Sequence, residues 1–137
     1  MKTVRLLFVL VLLGASTFSC KNRNPGSAAY KAQTPEIQQL LDTWKSDPRG
    51  CEKKRTAPLA NRLLAAFNQA QYSEAELVGL LGEVDLRLEK NDVVILTWYF
   101  DTSCTDGEVK AGSVYCTLQF FLNGPADQTD YGAVTCG

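Results

Sequence analysis

The spacing of apolar positions changes twice along this chain of 137 residues, and each change marks a different kind of segment. Leu6 to Leu13 is an unbroken apolar run of eight residues behind a basic head, Lys2 and Arg5. Gly14 to Ser19 is small and mostly uncharged. That is the build of a secretory signal peptide, and the run is too short for a membrane span of about 20 residues. From Thr34 the period is near 3.6. Ile37, Leu40, Leu41 and Trp44 make the apolar face of a first helix, with Thr34 placed to cap it, Pro35 at its first position and Glu36 in its first turn. Asp47-Pro48-Arg49-Gly50 ends it. Leu59, Leu63, Leu64 and Phe67 predict a second helix from about Pro58 to Gln71. Ser73 and Glu76 form a capping box for a third, which buries Leu77, Leu80 and Leu81 and stops at Gly82.

After Gly82 the period falls to 2. Val84, Leu86 and Leu88 alternate with Asp85, Arg87 and Glu89, and Asn91-Asp92 makes a turn. Val93 to Phe100, β-branched and aromatic throughout, suits a central strand. A polar connection over 101–112 leads to a second strong strand, Ser113 to Leu122, which Asn123-Gly124-Pro125 breaks. A short last strand runs from Tyr131 to Cys136. Helices followed by strands predict an α+β domain, with two to three N-terminal helices packed on one face of a 3–4-stranded antiparallel sheet. The organisation is then a signal peptide over 1–19, a flexible tether over 20–34 containing Pro25-Gly26, and a single domain over 35–137.

Five cysteines punctuate this pattern. Cys20 directly follows the small-residue stretch, which resembles the lipobox of bacterial lipoproteins. Ser19 fits the small position, and Thr17 stands where that family prefers Leu. The resemblance implies cleavage before Cys20 and acyl chains on it, which would hold the protein on a membrane. Lys21, where an Asp would favour retention at the inner membrane, points to the outer membrane and a periplasm-facing domain. Cys51, Cys104, Cys116 and Cys136 remain, an even number in an oxidising compartment, and imply two disulfides. If the two strong strands pair so that facing positions sum to 220, Trp98 meets Leu122, Phe100 meets Phe120, and Cys104 meets Cys116. All of these even-numbered residues lie on one face. That register favours a Cys104–Cys116 bridge, leaving Cys51–Cys136, while Cys104–Cys136 stays open.

Charge and missing chemistry narrow the function. Without the signal, 12 cations stand against 15 acids, a net charge of about −3 that gives no reason to expect nucleic acid as a partner. There is no His, no nucleophile elbow and no phosphate-binding glycine loop, and the cysteines lack metal-ligand spacing. We therefore expect no enzyme, no metal and no cofactor. A loop pair such as Asp101 and Asp106 reads as solvated carboxylates, and Trp44 as a core residue on its helical stripe. Lys45, Arg49, Lys53, Lys54, Arg55 and Arg62 gather a basic end near the first two helices.

The order of motifs adds a family likeness. Ser73 to Asp85, then Leu96-Thr97-Trp98-Tyr99-Phe100, then Thr117 to Gly124 resembles the SmpA/OmlA (BamE-like) family of small outer-membrane lipoproteins. The likeness covers about residues 73–124, with Val84 where the family has Pro. It is similar also to the helix–helix–sheet fold of β-lactamase-inhibitor proteins, and the two disulfides resemble exported lipoproteins with the same core. The resemblance implies a lipid-anchored, non-catalytic accessory or scaffold subunit that acts with an envelope protein in outer-membrane assembly or maintenance. The alternative is a tethered binding or inhibitor module that uses its sheet face against an enzyme or small ligand. Tyr99, Tyr115 and Phe121 fall on the odd-numbered face, and their exposure separates the two readings.

Overall fold

A computed structural model describes residues 34–124 and 126–137. The signal segment, Cys20 and nearly all of the tether lie outside the described residues. The chain is α+β, with three α-helices and a four-stranded antiparallel sheet. Helix α1 (Pro35–Lys45) starts where Thr34 accepts the Ile37 N–H. A 3₁₀ turn (Pro48–Gly50) follows. Helix α2 (Ala57–Phe67) is capped by Thr56 and ends at Asn68, three residues short of the expected Gln71. Helix α3 (Glu74–Leu81) carries the full Ser73–Glu76 capping box and stops at Gly82, whose φ of 88° a side-chain-bearing residue rarely adopts.

The sheet runs in the order β1 (Leu86–Lys90), β2 (Val93–Phe100), β5 (Cys116–Asn123), β6 (Gln128–Cys136). Asn91 and Asp92, with φ of 52° and 62°, make the two-residue turn between β1 and β2. The polar connection holds a small ribbon, β3 (Cys104–Thr105) and β4 (Glu108–Val109), turned by Asp106-Gly107. The last strand is nine residues rather than six, and an irregularity follows Phe121 where it pairs with β5.

The β2–β5 register differs from the expected one. Trp98 faces Leu118 and Phe100 faces Cys116, so paired positions sum to 216. A shift of four preserves parity, so the even-numbered residues still share a face. The reason for the shift is the strand break. In this register all eight residues of β2 find partners before Gly124, whereas the other would set Val93 to Leu96 against positions 127 to 124, across Gly124 and Pro125. Gly124 N–H then closes on the Asp92 carbonyl at 2.7 Å.

The disulfides follow this register, and the expected pairing is corrected. Cys116 faces Cys136 across β5 and β6, and the two are bonded. β2 ends at Phe100, Asp101 turns the chain with φ of 49°, and Cys104 leaves the sheet to bond Cys51 beside the 3₁₀ turn, with Cα atoms 5.5 Å apart. Neither Cys104–Cys116 nor Cys51–Cys136 forms.

Even-numbered β2 and β5 residues join the helical stripes in one core. Trp44, Leu63, Leu77, Leu81, Leu96, Trp98, Phe100, Leu118 and Phe120 are all essentially inaccessible. Trp44 packs on Phe100 with ring centroids 6.1 Å apart, and Trp98 donates its indole N–H to the Gly82 carbonyl. The core also fixes the 3₁₀ turn. Gly50 has φ of 70°, and a Cβ there would stand 2.5 Å from the Phe100 Cα.

Candidate functional site

The odd-numbered side of the sheet is built differently. By register, Leu88 faces Ile95, Ile95 faces Phe121, and Phe121 faces Tyr131. This row crosses all four strands without a charge. Leu88 is 49% exposed and Tyr131 55%, while Ile95 and Phe121 are half-buried by their neighbours. Phe121 and Tyr131 stack with centroids 4.4 Å apart. The alternation of Leu86 and Leu88 with Arg87 and Glu89 is real, but both leucines sit on this open side. Arg87 and Glu89 take the other side, where Arg87 pairs with Glu74 at the start of α3 and with Glu89.

The next row holds Leu86, Thr97, Gln119 and Ala133, and beyond it lie Tyr99, Thr117 and Thr135. Gln119 donates to the Thr97 hydroxyl, and the Thr117 and Thr135 hydroxyls bond each other at 2.7 Å. Tyr99 meets Tyr115 edge to face at 5.0 Å. Burial pushes the Tyr99 phenol above its usual range. The loop of Gly112 to Val114 rises beside these residues and bounds a cleft of about 480 Å³.

The structure therefore brings Tyr99 and Tyr115 together in the cleft and places Phe121 in the apolar row. Tyr115 is 41% exposed, and Tyr99 and Phe121 are partly open. Sequence reasoning missed Tyr131, Leu88, Leu86 and Ile95. The signal for Tyr131 was parity, since 121 and 131 are both odd and β6 pairs with β5, but the extent of β6 was not legible.

The basic end is not a free cationic surface. Arg49 pairs with Glu108, Lys53 with Asp101, Lys54 with Glu52, and Arg62 with Glu36. Arg55 is buried. It stacks on Trp44 at 4.6 Å, donates to the carbonyls of Trp44 and Tyr99, and approaches Asp85 at 3.4 Å. Burial pushes the Asp85 carboxyl up, against the opposing pull of the Tyr99 N–H and of Arg55. Asp47, also buried, accepts the backbone N–H groups of Glu52, Lys54 and Arg55 and holds the loop into α2. These groups are spent on structure. Asp101 and Asp106 sit on exposed turns, the former engaged by Lys53.

Among the described residues no cluster of three or more His, Cys, Asp or Glu is arranged to hold a metal, and no helix is long and apolar enough to cross a membrane. Among the described residues, the open face offers the Leu88–Tyr131 row and the Tyr99–Tyr115 cleft as its two most distinct features. No family model, curated protein or solved structure matches the chain.

Proposed function

We propose that this chain is a non-catalytic binding module of the cell envelope, tethered to the outer membrane by acyl chains on Cys20 and presenting its open sheet face to an envelope protein in the periplasm. The observation that carries this reading is the row Leu88–Ile95–Phe121–Tyr131. Exposed apolar residues scattered singly are ordinary, but four in register across a sheet make a contiguous patch of the kind that marks interaction sites. Its aromatic half resembles the composition of interface cores, which are enriched in Tyr and Phe and depleted of charge. The BamE-like arrangement of helices over the sheet, and a role in outer-membrane assembly or maintenance, belong to the same proposal. They rest on the order of motifs over residues 73–124. The basic head, apolar run and Cys20 support export and lipidation.

A second reading, a tethered module for a small ligand, is favoured by the cleft beside Tyr99 and Tyr115. The test of the first is a photo-crosslinker placed at Leu88 in native membranes, with the exposed α2 residue Asn61 as control. Leu88 should give a discrete protein adduct and Asn61 none. Absence of an adduct at Leu88, or equal adducts at both, overturns the docking face.

A further inference from the structure

We propose that the cleft at the Tyr99–Tyr115 end of the open face binds an uncharged saccharide. This site lies beyond the apolar row; the proposal rests on the second reading above and not on the protein partner of the first.

At about 480 Å³ the cleft falls within the range of small-ligand sites. Every side chain that lines it is uncharged, so a phosphate or carboxylate would find no cationic partner there. An entirely apolar ligand fits no better, because it would strand polar groups. Gln119 spends one amide N–H on Thr97 and keeps its carbonyl oxygen, and Thr135 shares only one bond with Thr117. The Tyr99 and Tyr115 hydroxyls have no hydrogen-bond partner among the described residues. A peptide that adds to a sheet pairs with the free backbone groups of an edge strand, whereas this cleft offers side chains of the interior strands β2 and β5, flanked by Leu86 of β1 and Thr135 of β6.

A pyranose ring has one face of C–H groups and a rim of hydroxyls. The aromatic pair supplies a surface for the C–H face, and the Gln119 carbonyl, the two phenols and Thr135 supply partners for the rim. Two aromatic rings already held against each other lose little freedom on binding, which favours the complex.

The test uses the full chain with its disulfides intact, titrated with two uncharged probes, a trisaccharide of N-acetylglucosamine and one of glucose. Tyrosine ring signals are followed by NMR. Either probe should shift Tyr99 and Tyr115 saturably, leave Tyr131 unmoved, and do so equally at low and high salt. Tyr115→Ala should weaken binding by about tenfold or more, and Tyr115→Phe by about two- to fivefold. Tyr115 is exposed, so neither change threatens the fold. Tyr131→Glu should leave saccharide affinity unchanged while weakening the Leu88 adduct, which separates failure of one site from failure of the other. No shift at Tyr99 or Tyr115 with either probe, shifts that vanish with salt, or full affinity in Tyr115→Ala overturns the proposal.

Discussion

Arg55 carries a positive charge where the chain has almost no water to solvate it. Its side chain is 3% exposed, and its partners are two backbone carbonyls, the Trp44 ring and Asp85. Truncation leaves those acceptors unpaired, and the cost of a stranded buried partner outweighs the lost attraction. Arg55→Met should destabilise by roughly 2–5 kcal/mol in denaturant unfolding. A change below about 0.5 kcal/mol, typical of a surface site, would contradict the burial described.

Asp85 gives the pH counterpart. Its pKa is raised by burial above the ordinary value of 3.8, so the fold holds its proton more tightly than the unfolded chain. The stability this group contributes is fully present below that ordinary value and is lost as pH rises through the folded value. Wild type should therefore gain stability relative to Asp85→Asn as the solution is acidified through that window. A gap that widens in the opposite direction would show that pairing with Arg55 dominates.

At the scale of elements, the two disulfides hold different things. Cys51–Cys104 spans 53 positions and fastens the 3₁₀ turn to the small ribbon. Cys116–Cys136 spans 20 positions and joins strands already hydrogen-bonded. Loop entropy makes the first worth more, by about 1 kcal/mol. Replacing each pair by alanine should reproduce that order, and digestion without reduction should yield Cys51 linked to Cys104. A Cys104–Cys116 peptide would contradict the register.

The same elements show what the chain's pattern could and could not reveal. Thr34, the Ser73–Glu76 box and Gly82 mark helix ends through local chemistry, and each end lies where those residues put it. Val93 to Phe100 was legible because β-branched and aromatic residues persist for the whole strand. The face of each core residue was legible too, since parity survives any even slip. The slip itself was not, because it depends on how far β5 runs before Gly124. The disulfides and the full row through Tyr131 inherited that uncertainty. Nor could periodicity say which side of the sheet receives Leu86 and Leu88, since that is settled by Thr97 and Ile95 opposite them.

For the molecule as a whole, charge and apolar surface are segregated. The cations near the helices are largely paired, while the open face carries the apolar Leu88–Tyr131 row and uncharged polar residues around Thr97 and Gln119, with Lys90 on the β1 edge beside Val93. β1 is exposed at all five positions and forms one sheet edge, a liability in a chain left free in solution. Acylation on Cys20 and a covering partner, as proposed, would limit that exposure. The mass of membrane-extracted protein should equal residues 20–137 plus three acyl chains and fall four hydrogens short of the reduced form. An unacylated product cut elsewhere would remove the anchor from the proposal.

The most direct test of a covered sheet face uses the five tyrosines as reporters. Tyr131 projects from the open face at 55% exposure, and Tyr72 is buried in the core at 1%. Chemical labelling of tyrosine in native membranes, compared with the purified chain, should show Tyr131 modified when purified and protected in the membrane, with Tyr72 unmodified in both. Equal labelling of Tyr131 in both settings would mean that nothing covers the face, and would contradict the docking surface proposed for this protein.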